Sequence, residues 1–287
     1  MTNIDNKIYG NDGSLLCGLT IGLFISSFVI TGLAHADAAA EMARKLQNPL
    51  ANIKAMMTDN TIGFDTGKDG GTSYSFQLQP LYAIDMPEQG FTILPRGVIP
   101  ILGLEPGTDL PVIGDPSSNT SSKWGLGDSM LQLFIAPHLE SEWKWGLGPM
   151  FSIPTHTDDA FKGADWGAGA AGILVGNITP DLSFAGIIGN VWGDSGNFNT
   201  LTLQPMFYYN IASMPGTSIA YNAVISADWE ASNDNRWTVP IGFTYSKTLD
   251  MGTGNGLDLS VGPYYNAVRP DGAARWQIRF GVNWLFP

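Results

Sequence analysis

The feature that most constrains this chain is a set of long segments in which apolar and polar side chains strictly alternate. The pattern is clearest at 74–84, 201–210, 236–246 and 275–286, where no position on the apolar face is charged. A period of two residues is typical of β-strands with one apolar and one polar face. Each segment reaches the length of about 9–11 residues that a tilted transmembrane strand needs. The sequence therefore predicts an all-β fold, an antiparallel transmembrane β-barrel.

The composition separates this barrel from a soluble one. Charged residues make up 14% of the chain, against about 25% in typical soluble domains. The polar faces carry Gln, Ser, Thr, Asn and Gly where soluble sheets present Lys and Glu, so a secreted soluble barrel is disfavoured. The net charge of −12 offers no basic surface, and we expect no nucleic-acid partner.

Residues 1–36 have the features of a cleaved signal peptide. The mostly apolar stretch 15–33 precedes Ala34-His35-Ala36, a small-x-small cleavage pattern. Cleavage after Ala36 would remove Cys17, the single cysteine of the chain. The alternative is an uncleaved anchor, because the apolar stretch is just long enough to cross a bilayer.

Residues 37–58 predict a short N-terminal helix that Pro49 should kink. Its apolar residues recur at spacings of three and four, which places them on one helix face: Met42, Leu46, Leu50, Ile53 and Met57. The sequence leaves open whether this segment plugs the lumen, braces the barrel from the periplasm or is a frayed arm.

Residues 59–287 predict about twelve strands, an even number that closes an antiparallel barrel without an unpaired edge in lipid. The longest connections, 105–123 and 155–165, fall on the external side in this register. All nine tryptophans fall near strand ends, as expected for the aromatic girdles of a membrane barrel. The expected strands are 60–66, 72–85, 91–104, 124–137, 142–154, 166–178, 182–193, 199–212, 217–230, 235–248, 256–268 and 274–286.

The last strand resembles the C-terminal insertion signal of bacterial outer-membrane barrels. The matching residues are Arg279, Gly281, Trp284 and Phe286, and the final Pro287 departs from the pattern. This resemblance implies a bacterial outer-membrane location, the lipid bilayer as a partner, and insertion by the outer-membrane barrel assembly machinery.

Six short segments recur in the same order in one protein family. They are Lys-Leu-Gln-Asn-Pro at 45–49, Gly-Leu-Gly-Asp at 125–128, Trp-Gly-Leu-Gly-Pro at 145–149, Pro-Thr-His-Thr-Asp-Asp at 154–159, Trp-Gly-Ala-Gly at 166–169 and Leu-Gln-Pro at 203–205. Residues 37–287 thus resemble the meta-pathway phenol-degradation family of outer-membrane proteins, some of which are labelled neuromedin U. The resemblance implies an outer-membrane barrel with a transport role and implies no catalytic residues.

Charged residues with the parity of the polar face are the candidates for the lumen lining. A charge facing lipid near the midplane costs about 2–4 kcal/mol, so we expect these side chains to point inward. They either form ion-pair networks that fill the barrel or form a selectivity ring for an anionic or polar solute. The candidates are Arg96, Asp128, Asp228, Arg236, Asp258, Arg275 and Arg279.

Catalysis and metal binding have weaker signals. Ser152, His156 and Asp158 suggest a hydrolase, but four residues along a strand separate Ser152 from His156 by about 13 Å. Asp158 and Asp159 form either a calcium-binding loop or a solvated one. We therefore expect no catalytic residues, no metal and no cofactor.

The leading hypothesis is a porin-like diffusion channel or transporter for a small solute, with aromatic compounds among the candidates, because a twelve-stranded barrel has a narrow bore. The protein is not expected to be an enzyme. Two alternatives remain: an outer-membrane enzyme that acts on lipid, and a closed structural or surface-interaction barrel.

Overall fold

The computed structural model describes residues 33–51, 53–68, 70–105, 121–194 and 196–286. Most of the expected signal peptide, with Cys17, lies outside these residues. So do Pro287 and the central part of the 105–123 connection.

One α-helix, α1 (Leu33–Leu46), precedes the barrel. It ends earlier than the sequence predicted, because the residue before a proline is disfavoured in the helical conformation and Asn48 precedes Pro49. Asn48 instead accepts a hydrogen bond from the Leu50 amide, which forms a turn. The prediction of helix over 47–57 is therefore wrong, and the first strand begins at Lys54.

Twelve strands follow, several of them in two segments. They are β1 (Lys54–Thr66), β2 (Gly71–Tyr82, continued by Ile84–Met86), β3 (Phe91–Leu104), β4 (Lys123–Leu126 and Ser129–Pro137), β5 (Lys144–Ile153), β6 (Gly167–Thr179), β7 (Leu182–Gly193), β8 (Asn199–Asn210), β9 (Thr217–Asn222 and Ile225–Asp228), β10 (Trp237–Gly242 and Thr244–Gly252), β11 (Asn255–Val268) and β12 (Trp276–Phe286). Single 3-10 turns lie at Asp159–Phe161 and Asn233–Asn235.

The strands close into one antiparallel barrel. Each strand pairs with the next along the chain, and β1 pairs with β12, with Lys54 opposite Phe286 and Phe64 opposite Trp276. The predicted twelve-stranded fold is confirmed. We call the end where β1 begins and β12 finishes the terminal end, and the opposite end, which carries the connections 105–123 and 155–165, the loop end.

The barrel is apolar outside, as the alternation predicts. Trp276 is 53% exposed, whereas the inward-facing Arg279 is 8% exposed. All nine tryptophans are exposed and lie near strand ends. An apolar outer belt with every strand edge paired is the form that a β-structure must take in a bilayer.

Apolar side chains also pack inside the barrel and join it to α1. Leu94, Phe134 and Met150 from the strands belong to one buried cluster with Met42 and Leu46 of the helix. Among the described residues no helix has the length and hydropathy needed to cross a membrane.

Candidate functional site

The lumen is the candidate site, and its wall has two kinds of surface. A cavity of about 70 Å³ within the barrel has apolar lining residues that include Leu94, Phe134 and Met206. Its polar lining residues include Arg96 and Arg279. A small molecule with an apolar body and a polar group would find a partner for each part.

Arg96 projects from β3 into this cavity with uncharged partners. Its Nη1 donates to Gln132 Oε1 at 2.5 Å, and its Nη2 donates to Gln79 Oε1 at 2.8 Å. Gln79 is held in turn by its own donation to Gln77. No ion pair of Arg96 is formed within the described part of the chain, so its positive charge remains uncompensated by a direct contact.

Arg279, by contrast, is neutralised. It pairs with Asp59 on the neighbouring β1, donates to the Asn222 carbonyl oxygen at 2.7 Å, and lies 5.2 Å from the centroid of the Tyr264 ring. The charged groups around the cavity are thus two guanidinium groups and one carboxylate, which leaves it with a net positive lining.

Asp258 lies elsewhere on the inner face and has uncharged partners. Thr248 donates to one of its oxygens at 2.8 Å and Asn283 donates to the other at 3.0 Å. The carboxylate is thereby tied to β10 and β12, the two strands beside β11.

The loop end is narrowed by the connection between β5 and β6, which folds inward over Asp128. Oδ1 of Asp128 accepts from His156 Nδ1 at 2.6 Å, and Oδ2 accepts from the amides of Gly163 and Asp165 at 2.9 and 2.8 Å. Phe161 from the same connection is fully buried against Leu102 and Leu104. We call this arrangement the Asp128 clamp.

Two ion pairs on the surface of this connection reinforce the clamp. Lys123 pairs with Asp158 at 2.8 Å, and Lys162 pairs with Asp165 at 2.6 Å. Hydrogen bonds from Lys123 and from the Ala160 amide hold the pKa of Asp158 below its ordinary value. The hydrogen bond and charge of Asp165 raise the pKa of Lys162.

The clamp also brings together atoms of the kind that bind metals. One ligand atom from each of Asp128, His156 and Asp165 lies within 4.8 Å of the others. Both oxygens of Asp128 already accept N–H hydrogen bonds, however, so these residues act first as a fastening for the loop.

The terminal end is covered by α1 and the turn that follows it. Pro49 lines the central cavity, and Leu50 lines a second cavity of about 280 Å³ beside Thr92, His138 and Lys144. The turn after α1 therefore separates the two cavities, and we propose that the helix with its turn is a plug.

Similarity to known proteins agrees with this architecture. Residues 59–176 match the model of the family described as "Putative MetA-pathway of phenol degradation". Over these residues the chain is similar to this family, and its barrel fold is that of a solved outer-membrane channel.

Solved structures of outer-membrane channels and porins align with this barrel. The COG4313 outer-membrane channel from Pseudomonas putida F1 aligns with a TM-score of 0.58 at 16% identity, over 82% of this chain and 96% of that chain. The NanC porin gives 0.49 at 12% identity, over 82% and 99%. The KdgM porin gives 0.44 at 12%, over 81% and 99%. No curated protein matches the sequence.

The candidate residues of this barrel fall into two groups. Arg96, Asp258 and Arg279 lie on the inner face, and Asp128 lies at the inner edge of the loop end, where it holds a loop and lines no pore ring. The other three lie at the rim of the loop end: Arg275 pairs with Asp65, Asp228 accepts from the Glu230 amide, and Arg236 donates to the Ala231 carbonyl oxygen.

The structure does not bring together the residues of the imagined hydrolase. His156 is engaged with Asp128, no hydrogen bond within the described residues joins it to Ser152, and Asp158 is paired with Lys123. Sequence reasoning missed Asp59, Gln79 and Gln132, the partners of the two lumen arginines. The only sequence signal for these residues was their position on the polar face of a predicted strand.

Proposed function

We propose that this outer-membrane barrel is a diffusion channel for small organic anions, with aromatic carboxylates and phenolates as the preferred class. The observation that carries the proposal is the charge of Arg96, which no carboxylate contacts directly within the described residues, at a cavity lined by both apolar and polar side chains. The apolar wall would contact the body of the solute and Arg96 its anionic group, because guanidinium binds carboxylate in a matching planar geometry.

The family description supports an aromatic solute, and one structural relative supports a channel. Phenol is aromatic, and the family is described by a pathway of phenol degradation. The relative with the same barrel fold is described as an outer-membrane channel. Weak binding in a narrow lumen is compatible with conduction, because a solute must be able both to enter and to leave.

The charge of Arg96 provides the test. Purified protein in planar bilayers should show anion selectivity in a KCl gradient, and Arg96→Gln should lower the anion-to-cation permeability ratio at least threefold. Arg96→Lys keeps the positive charge and should therefore retain most of the anion selectivity. Arg275→Gln is the matched control, since Arg275 lies at the rim and is already paired with Asp65.

Flux measurements would then identify the solute class. Proteoliposomes should take up benzoate faster than its neutral analogue benzamide, and Arg96→Gln should remove this difference. No conductance and no benzoate flux, with or without residues 37–53, would rule out a channel. Selectivity unchanged in Arg96→Gln would rule out the role of Arg96.

A closed structural barrel is the second candidate, and one observation favours it. The central cavity holds only about 70 Å³, and α1 with its turn covers the terminal end. Absence of conductance even after removal of the plug would support this alternative. A lipid-acting enzyme has no comparable support among the described residues, because Ser152 and His156 are not in contact.

A further inference from the structure

The barrel wall is interrupted between β9 and β10. The two strands pair from Thr217 to Ala220 with Lys247 to Thr244, and again where Ser226 and Ala227 face Thr238 and Trp237. Between these two patches, residues 221–225 and 239–243 are all described and form no ladder pairs with each other. The pairing register is the same in both patches, so the interruption is a gap within a single β9–β10 ladder.

Prolines explain why the ladder fails at this level. Continuing the flanking registers, Pro205 of β8 stands opposite Ala223, and Pro240 of β10 stands opposite Val224. Proline has no N–H group and cannot donate to a ladder, and it is rare in central strands for that reason. Ala223 and Val224 accordingly belong to no strand segment.

Side chains take the place of the missing backbone hydrogen bonds. The Asn222 amide donates to Tyr264 Oη at 3.2 Å, and the Asn222 carbonyl oxygen accepts from Arg279 Nη1 at 2.7 Å. On β10 the Pro240 carbonyl oxygen accepts from Tyr221 Oη at 2.8 Å. The wall is closed here by side chains that can rotate.

Tyr264 crosses the gap from β11. It passes over Gly242, where a Cβ atom would stand 2.7 Å from the Tyr264 ring, and its hydroxyl reaches Thr244 at 2.8 Å. The ring is only 1% exposed, and its centroid lies 6.2 Å from that of Tyr221. Glycine at position 242 is therefore what lets an aromatic ring fill the break.

The gap has the lumen on one side and lipid on the other. Gln204, Asn222 and Thr244 line the central cavity. On the outer surface, Ile241 is 60% and Phe243 52% exposed, in the apolar belt. Rotation of the two tyrosines would join the cavity to the hydrocarbon without breaking any β9–β10 ladder pair.

We propose that this interruption, the tyrosine gap, is a lateral portal through which an uncharged aromatic molecule passes between the lumen and the bilayer interior. Such a molecule partitions favourably into hydrocarbon, whereas an organic anion does not and must follow the barrel axis. The lateral portal and the axial channel have one requirement in common: the solute must enter the lumen at the loop end. In every other respect the portal is independent of the proposed function.

The first test is hydrogen–deuterium exchange on the intact protein in lipid nanodiscs. Amides 223 and 224, which belong to no strand segment, should exchange at least tenfold faster than amides 218–220, which lie in the paired part of the same wall. Equal protection of the two sets would overturn the proposal, because the gap would then be as closed as the ladder.

The second test locks the gap in living cells. Ala223→Cys with Ile241→Cys, oxidised to a disulfide, spans the unpaired stretch, because the flanking registers place these two residues opposite each other. Ile219→Cys with Tyr245→Cys is the matched control, because these residues already face each other in the ladder. Uptake of radiolabelled toluene and benzoate is measured before bridging, after bridging and after reduction.

The bridge at 223–241 should lower toluene uptake at least fivefold, leave benzoate uptake unchanged and be reversed by reduction, whereas the control bridge should have no effect. Unchanged toluene uptake would overturn the portal, as would an equal fall for benzoate. If benzoate were not taken up before bridging, after bridging or after reduction, the axial channel would be contradicted. The toluene comparison would still test the portal.

Discussion

Gln47 and Asn210 exchange two hydrogen bonds across the terminal end, from Gln47 Nε2 to Asn210 Oδ1 at 2.8 Å and from Asn210 Nδ2 to Gln47 Oε1 at 3.0 Å. Gln47 directly follows α1 and Asn210 ends β8. The plug is therefore fastened to the barrel by a specific polar contact as well as by its apolar face, which gives it one defined position.

Loss of this contact should loosen the plug. Asn210→Ala leaves the buried Gln47 amide without its partner, and we expect the docked helix to lose about 1–2 kcal/mol. In planar bilayers the variant should open more often than the native protein at the same voltage. Asn255→Ala, in the β10–β11 turn at the same end, serves as the control, and equal effects of the two changes would contradict the assignment.

Leu50 separates the two cavities, so shortening it should widen the path. Leu50→Ala removes buried methyl groups from the turn between the central cavity and the cavity beside Lys144. We expect single-channel conductance to rise, with a stability loss of about 2–4 kcal/mol. Leu259→Ala, on the lipid-facing surface, should leave conductance unchanged, and so should Leu50→Ala if the cavities are not part of the path.

The Asp128 clamp should protect the bond after Lys162 from proteolysis. Asp128→Ala leaves the amides of Gly163 and Asp165 without their acceptor, and each unsatisfied buried donor costs about 1–3 kcal/mol. Trypsin should then cut after Lys162 at least tenfold faster than in the native protein. Asp159→Ala retains the clamp and should keep the native rate, so fast cleavage in both variants would refute the clamp.

The pH dependence of the same loop follows from its two ion pairs. The pKa of Asp158 is lowered by Lys123, so that pair stabilises the loop above the ordinary Asp value of about 4 and fails as pH falls through the lower folded value. The pKa of Lys162 is raised by Asp165, so that pair stabilises the loop fully below the ordinary Lys value of about 10.5 and is lost as pH rises through the higher folded value. Exchange of the Ala160 amide, corrected for its intrinsic rate, should therefore be slowest between these limits.

A charge-free variant checks this assignment. Asp158→Asn removes the carboxylate that Lys123 contacts, so the acidic rise in Ala160 exchange should disappear while the alkaline rise remains. If the acidic rise persists in Asp158→Asn, another group controls the loop.

The C-terminal strand should determine the rate of assembly. Phe286 and Trp284 form part of the resemblance to the insertion signal, and we propose that the barrel assembly machinery recognises them. Phe286→Ser should slow the appearance of the heat-modifiable folded form at least fivefold in pulse-chase experiments. Phe243→Ser, also lipid-facing, should slow it much less; equal delays would indicate only a loss of apolar surface.

The strands were predictable because a bilayer imposes the same alternation on every one of them. The end of α1 was harder to predict: Met42, Leu46, Leu50 and Ile53 all enter one buried cluster, so their spacing was informative, although only the first two are helical. The breaks in β9 and β10 were missed, because Pro205 and Pro240 were visible but their alignment across the wall depends on register.

The site was predictable only in part. The alternating pattern predicts which face of a strand a residue lies on, but it does not predict the height of that residue along the barrel axis. Arg96 and Arg275 therefore looked equivalent, although Arg96 lies at the central cavity and Arg275 lies at the rim. The partners of Arg96 come from different strands, and the stagger between strands sets which side chains meet. The folding of the 155–165 connection over Asp128 depends on contacts too distant in sequence for any local pattern to reveal.

The pairing of β1 with β12 makes assembly an all-or-none event. Until the last residues are synthesised, the edge of β1 that β12 covers has no partner, and any shortened chain would present two bare edges to hydrocarbon. Nonsense mutations late in the gene should therefore be as damaging as early ones, and the cell should degrade the resulting fragments and not insert them.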